Sequence, residues 1–144
     1  MPELADMLGS LAEQVLETMF YTAVLGPASE TEGSRLAAVV TFTGSRTGTV
    51  VVSAPESTAK ALTADFLGID LESVPEGHVP TVLGELANVL CGAMLARIDP
   101  AGGFVISPPS VSGQDESLLA AEDMAVWRTF ELEKGDLTVG LTMS

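Results

Sequence analysis

A long apolar stretch over residues 80–99 constrains the fold of this chain more than any other feature. Its length and its content of Leu, Ala and Met predict a helix, with Pro80 suited to the first turn and Pro100 just past the end. At the helical period, one broad side collects these residues: Val82, Leu83, Leu86, Val89, Leu90, Ala93, Met94 and Arg97. A helix with such a side has to bury it, so the rest of the chain must supply a layer on which it packs.

A narrow stripe lies roughly opposite that apolar side and consists of Thr81, Glu85, Asn88 and Gly92. The spacing of i, i+4, i+7 and i+11 holds a carboxylate and a carboxamide outward, one turn apart. Asparagine is a mediocre helix former, and a glycine inside a helix costs about 1 kcal/mol relative to alanine. Two interpretations are open. The stripe is a solvated surface on which Gly92 relieves a tight internal contact, or Gly92 lets a partner approach closely.

The charge of the chain limits the partners that it can bind. Its 144 residues are 47% hydrophobic and 18% charged, which favours one domain with a buried core over disorder. The 20 acidic and 6 basic residues give a formal charge of −14, which argues against nucleic acid and against an anionic membrane surface. We therefore expect a single domain over residues 1–144, in which any phosphate chemistry takes its cation from a metal or from a partner.

The single cysteine and the N-terminal segment indicate a cytoplasmic protein. Cys91 cannot form an internal disulfide and lies near the margin of the apolar side, so we expect a small buried thiol rather than a catalytic one. The N-terminal segment carries Glu3 and Asp6, the wrong sign of charge for a secretory signal. We also expect no membrane span in the chain.

The N-terminal half of the chain predicts one long helix and one hairpin. Hydrophobic residues recur at helical spacing over residues 3–25, and Gly26-Pro27 ends that pattern. This helix lacks a second Glu-x-x-Asn pair. Residues 35–43 and 49–53 are rich in Val and Thr and are separated by a glycine-containing turn, which is typical of two paired strands.

A short helix and a loop precede the central helix. Residues 53–56 have the form of a capping box that opens a helix through Phe66, and Gly68 closes it. The loop over residues 69–79 carries His78, the only histidine of the chain. We expect this side chain to face solvent, with a role as general base as the alternative.

The C-terminal third predicts strands over residues 104–107, 124–132 and 137–143, with a polar loop over residues 110–116. Helix, hairpin, helix, helix, short strand and hairpin follow one another along the chain. This order indicates an α/β (α+β) two-layer fold, in which an antiparallel-rich sheet carries the long N-terminal and central helices on it.

The stripe on the central helix resembles the signature of a known family. Glu85-Leu-Ala-Asn88 followed by Gly92 is similar to the helix motif of the CheC/CheX/FliY chemotaxis phosphatase family, and the CheX branch fits best. Residues 15–20 resemble the first helix of that branch, and residues 106–109 (Ile-Ser-Pro-Pro) resemble the strand and loop after its active helix. The similarity covers almost the whole chain.

The resemblance implies removal of phosphate from the phosphorylated Asp of a CheY-like response regulator. It makes Asn88 the residue that positions the attacking water and Glu85 the residue that pairs with the regulator's active-site Lys. It also implies that the regulator supplies Mg²⁺, so that this chain needs no cofactor of its own. Thr81 stands where the family has Asp or Ser, and it and Gly92 are expected to contact the regulator. For Thr81, a capping hydroxyl at the helix start is the alternative.

Other functions fit the same residues. A non-catalytic CheX-like module that docks on a response regulator or a flagellar-switch component would keep Glu85 and Asn88 for binding alone. A dimeric structural domain would need neither residue. CheX-like relatives form homodimers through their sheets, and we expect a homodimer here, with Trp127 either on that interface or in the core.

Overall fold

The computed structural model describes residues 2–29, 31, 33–114 and 126–143. These residues form three α-helices, a 3-10 turn over Leu71–Ser73 and seven strands. The helices and strands are α1 (Pro2–Met19), β1 (Val24–Pro27), β2 (Arg35–Thr43), β3 (Gly48–Pro55), α2 (Glu56–Leu67), α3 (His78–Ile98), β4 (Val105–Ile106), β5 (Ser110–Gln114), β6 (Val126–Leu132) and β7 (Gly135–Met143).

The seven strands form one antiparallel sheet in the order β1-β6-β7-β3-β2-β4, with β5 also paired to β2. The two predicted hairpins are the β2–β3 and β6–β7 ladders. They are joined at the centre of the sheet, where β3 pairs with β7. Residues 124 and 125 of the predicted β6 strand lie outside the described residues. The prediction of an antiparallel-rich α/β fold with helices on the sheet is confirmed.

The core lies between the sheet and the helices. α3 contacts β2 and β3 on one side and α1 and α2 on others, so it is the central element of the helical layer. Burial of each large aliphatic or aromatic side chain in such a core contributes about 1.5–3 kcal/mol. The largest fully buried side chains are Leu8, Leu16, Phe20, Val40, Phe42, Val50, Leu86, Leu90, Met94, Leu137 and Leu141.

α3 has the length and apolarity of a helix that can cross a membrane. Its most apolar window has a mean hydropathy of 1.5, and 56% of that window is buried inside the fold. The apolar side chains of α3 therefore have partners within this protein, as in a core helix.

The first helix ends at Met19 and not at residue 25 as predicted. Tyr21 has a φ of 53°, in the left-handed region where the end of a helix usually places glycine. The N–H of Thr22 donates a hydrogen bond to the carbonyl of Leu16 at 3.1 Å, which closes the last turn. The chain then enters β1, which pairs with β6. Because a tyrosine occupies the usual glycine position, the sequence pattern did not indicate this end.

The capping box predicted for α2 does not form. α2 begins at Glu56 without a side-chain cap. Ser53 instead lies buried in β3, where its Oγ accepts a hydrogen bond from Nε of Arg35 at 2.9 Å. The predicted end of α2 is confirmed, because Gly68 has a φ of 69° and its N–H donates to the carbonyl of Ala64 at 2.9 Å.

The edge strand beside β2 is interrupted. β5 pairs with the first half of β2 and β4 with its end, so the loop prediction is wrong for residues 110–114. Residues 115 and 116 lie outside the described residues. Residues 107–109 leave the ladder between the two strands, and we call them the arch. The arch stays attached to the sheet because Ser107 donates its N–H to the carbonyl of Thr41 at 2.8 Å, and its Oγ accepts the N–H of Thr41 at 2.9 Å.

Candidate functional site

α3 leaves only a narrow part of its surface accessible. Its buried residues are Val79, Val82, Leu83, Gly84, Leu86, Ala87, Leu90, Cys91, Met94 and Leu95. This surface is broader than the predicted apolar side, because α3 packs on two helices as well as on the sheet. Arg97, which was predicted on the apolar side, is exposed, so that placement is wrong. Val89 and Ala93 are half-buried.

Glu85 and Asn88 share the accessible stripe but differ in burial. Glu85 is exposed, as predicted, whereas Asn88 is half-buried. The Oδ1 atom of Asn88 is shielded from solvent and has no hydrogen-bond partner, which is true of no other buried side-chain nitrogen or oxygen among the described residues. The predicted outward position of the carboxamide therefore holds for the stripe on which Asn88 lies but not for its oxygen. An unsatisfied buried oxygen of this kind costs about 1–3 kcal/mol, so it calls for an explanation.

Asn88 lines a shallow pocket of about 410 Å³. Glu85, Asn88 and Val89 of α3 line one side of it. Ile106 at the end of β4, together with Ser107 and Pro108 of the arch, lines the other. The arch was not among the site residues predicted from the sequence. Its signal in the sequence is the Pro-Pro pair directly after a short strand, because proline cannot continue a ladder.

The other two predicted site residues lie on the same stripe. Thr81 is exposed, and its Oγ1 donates a hydrogen bond to the carbonyl of Gly77 at 3.4 Å. It bonds back along its own helix rather than accepting an N–H at the helix start, so the capping alternative is wrong. At Gly92, an added Cβ would meet no atom within 4 Å. The interpretation of a tight internal contact at Gly92 is therefore wrong, and the space beside this glycine is open.

Three further residues singled out in the sequence lie apart from the pocket lining. His78 is exposed, but it is the first residue of α3 and not part of the preceding loop. Cys91 is fully buried, and burial raises the pKa of its thiol to about 11, so it stays protonated at neutral pH. Trp127 is 47% exposed, so its placement in the core is wrong. Within the described part of the chain, no group of three His, Cys, Asp or Glu residues is arranged to hold a metal ion.

Comparisons with known proteins identify relatives of the whole fold. The sequence profile of the family described as chemotaxis phosphatase CheX matches residues 36–128. The chemotaxis protein CheX from Vibrio vulnificus is 17% identical, with a TM-score of 0.78 over 99% of this chain and 97% of that one. The CheX protein from Desulfovibrio desulfuricans is 21% identical, with a TM-score of 0.75 over 99% of each chain.

A third similar structure is the CheX-CheY-BeF3-Mg²⁺ complex from Borrelia burgdorferi. The matching chain of that structure is 16% identical to this one, with a TM-score of 0.73 over 96% of each chain. No curated protein sequence matches this chain. At these identities the solved structures show a shared fold, and the family assignment rests on the profile, which spans well over half of the sequence. This chain belongs to the chemotaxis phosphatase CheX family.

Proposed function

We propose that this chain removes the phosphoryl group from the aspartyl phosphate of a CheY-like response regulator. Membership of the chemotaxis phosphatase CheX family supports a reaction of this class. The fold is also similar to that of the Borrelia burgdorferi CheX, whose structure contains CheY, BeF3 and Mg²⁺. In the proposed reaction, water attacks phosphorus, the bond between phosphorus and the aspartyl oxygen breaks, and the products are inorganic phosphate and the free carboxylate.

The observation that carries the proposal is the unpartnered carboxamide oxygen of Asn88. An amide oxygen accepts hydrogen bonds but has no useful basicity at neutral pH, so it suits the orientation of a water and not the removal of its proton. A water that donates one O–H to Oδ1 can direct a lone pair towards phosphorus. Because an acyl phosphate is intrinsically labile, holding that water in line is the main task of the catalyst.

The shielding of the Asn88 oxygen gives the complex a driving force. In the free protein this oxygen is shielded from solvent and has no hydrogen-bond partner within the chain. We expect the side chain to rotate towards the regulator as the two proteins dock, so that the oxygen gains a hydrogen bond in the complex that it lacks outside it. The unpaired oxygen then destabilises the free protein but not the complex in which the reaction takes place.

Glu85 serves docking in this proposal. Its carboxylate is exposed beside the pocket, where it can pair with the active-site Lys of the regulator and fix the register of the two proteins. The regulator also supplies the Mg²⁺ that neutralises the phosphoryl group, so the chain, with its formal charge of −14, does not bind phosphate by itself.

The rest of the stripe and the sheet complete the proposed assembly. Thr81 and Gly92 flank Glu85 and Asn88 on the stripe, and the open space at Gly92 admits the regulator's backbone. Trp127 is exposed on β6, which fits the proposed homodimer interface on the sheet. We place the reaction in the cytoplasm.

The test measures loss of phosphate from phosphorylated receiver domains of the same organism. The wild-type protein should accelerate the loss for at least one receiver. Asn88→Ala should lower the rate at saturating protein by about 10²-fold, because the water is no longer held in line. Glu85→Ala should mainly raise the protein concentration that gives half of the maximal rate, because it removes a docking contact. Glu17→Gln, which neutralises an exposed acid on α1, is the matched control and should change neither quantity.

The other outcomes separate the alternatives. An Asn88→Ala variant with the wild-type rate at saturation would overturn the catalytic assignment. Binding of a receiver with unchanged dephosphorylation would identify a docking module. A wild-type protein that binds no receiver would indicate a structural domain.

A further inference from the structure

One wall of the Asn88 pocket rests directly on the backbone of α3. Gly84 lies one turn before Asn88 and is buried. A Cβ added at Gly84 would lie 3.1 Å from both Cβ and Cγ of Pro109, and 3.5 Å from Cγ2 of Val111. Carbon atoms in ordinary contact are about 3.5–4.0 Å apart. A side chain at this position would therefore push the arch away from the helix.

The arch has little freedom to absorb such a push within itself. On the sheet side, Ser107 is held by its two hydrogen bonds with Thr41. Pro108 and Pro109 fix two successive φ angles, and a proline ring has no flexible end that can rotate aside. Pro108 and Ser107 also line the pocket that contains Asn88. A displacement at Gly84 is therefore passed on to the wall that faces the carboxamide.

We propose that Gly84 and Pro109 are positioning residues, whose contact sets the distance between the arch and Asn88. This inference rests on the proposed function, because the consequence of the distance is the placement of the carboxamide for dephosphorylation. A reacting group that is misplaced by 1 Å can lose about 10²-fold in rate. For a shift of a few tenths of an ångström we expect a smaller loss, of about tenfold.

The first arm of the test compares the same substitution at two helical glycines. Gly84→Ala should lower the maximal rate of receiver dephosphorylation about tenfold, while the protein concentration for half-maximal rate stays within twofold. Gly9→Ala in α1 is the control, because an added Cβ there would meet its nearest atom, Cζ of Phe130, at 3.7 Å, an ordinary contact. It should leave both quantities unchanged. A purely structural role for Gly84 predicts no selective loss of the maximal rate in the folded protein.

The second arm does not depend on activity. Asn88 is the only asparagine of the chain, so protein labelled with ¹⁵N-asparagine gives a single pair of side-chain amide resonances in an NMR spectrum. Gly84→Ala should move this pair, and Gly9→Ala should not. If the resonances move but the wild-type protein dephosphorylates no receiver, the contact positions Asn88 as inferred and the proposed function fails. Unmoved resonances together with an unchanged maximal rate would overturn the inference.

The third arm asks whether the effect passes through Pro109. Pro109→Gly removes the two atoms that an alanine at position 84 would approach to 3.1 Å and leaves only the ordinary contact with Cγ2 of Val111 at 3.5 Å. In that background, Gly84→Ala should have an effect of no more than twofold on the maximal rate, because the two changes are coupled. A tenfold loss that persists in the Pro109→Gly background would overturn the role of the contact. Pro109→Gly alone makes the arch more flexible and should also move the Asn88 resonances. This variant tests the inference even if Gly84→Ala does not fold.

Discussion

The cluster around Arg35 and Asp136 on the sheet and the carboxamide of Asn88 on α3 both shield polar atoms from solvent, but only the cluster gives those atoms partners. In the cluster, Nη1 of Arg35 lies 2.8 Å from Oδ2 of Asp136, and Thr31 donates its hydroxyl to Oδ1 of the same carboxylate at 2.7 Å. Ser53 accepts from Nε of Arg35 through its hydroxyl and from Nη2 through its carbonyl, at 2.9 and 3.1 Å. The carboxamide oxygen of Asn88, by contrast, is shielded from solvent and has no hydrogen-bond partner among the described residues.

This difference indicates which polar group stabilises the fold and which one is available to bind a second molecule. The buried ion pair and its hydrogen bonds connect β2, β3, β7 and the loop before β2. All of these polar groups have partners within the protein, so none needs a bond from another molecule. A buried oxygen without a partner lowers the stability of the fold. Such an oxygen is expected at a binding site, where a second molecule supplies the missing hydrogen bond. Stability and activity should therefore respond separately to changes in the two regions.

The largest expected effect is on stability and comes from Asp136→Ala. The change removes the carboxylate that pairs with the buried Arg35, so we expect a loss of about 3–5 kcal/mol in the free energy of unfolding, measured by urea denaturation. Asp65→Ala is the control, because Asp65 pairs with Lys134 at 3.3 Å on the exposed surface and should contribute less than about 1 kcal/mol. Equal losses in the two variants would show that the cluster is no more important to the fold than a surface pair.

Asn88→Leu should change activity and stability in opposite directions. We expect the dephosphorylation rate to fall about 10²-fold, because no group orients the water. The free energy of unfolding should rise by about 1–2 kcal/mol, because the unpaired oxygen is gone and leucine is the better helix former. Gln14→Leu at an exposed position of α1 should alter stability by less than about 0.5 kcal/mol. A less stable Asn88→Leu protein would mean that the carboxamide supports the fold, which would remove the contrast between the two regions.

The smallest expected effect concerns backbone strain away from both regions. Tyr21→Gly should raise the free energy of unfolding by about 0.5–1 kcal/mol, because glycine adopts the φ of 53° without the steric cost that a side chain brings. Thermal unfolding would measure this gain, and the dephosphorylation rate should not change. Tyr21→Ala is the matched control, since alanine carries the same left-handed penalty. Loss of activity in Tyr21→Gly would mean that activity depends on residues outside the pocket, so that stability and activity do not respond separately.

Much of the fold followed from local pattern. The central helix and the two hairpins were predicted because their hydrophobic periods are long and regular. β5 was missed because Ser110, Ser112 and Gly113 give an edge strand the composition of a loop. The role of Ser53 was misjudged because its partner, Arg35, competes for the hydroxyl that a capping box would use.

The site was predictable in part, for a physical reason. The spacing along one helix indicated the stripe with Glu85 and Asn88, and the family resemblance suggested their roles. The arch and the orientation of the carboxamide depend on contacts between α3 and residues more than 20 positions later, such as that between Gly84 and Pro109. No periodicity along the chain records a contact of that kind.

The interrupted strand beside β2 also decides how copies of the protein can associate. Pro108 and Pro109 have no N–H to donate, so this edge is poorly suited to recruit a strand from another molecule. In the described part of the sheet, β1 is the opposite edge. β1 is a strand of four residues that also ends in a proline, Pro27. A strand from a second copy would meet a break in its ladder at the arch, so this wall of the Asn88 pocket stays outside any continuous sheet between copies.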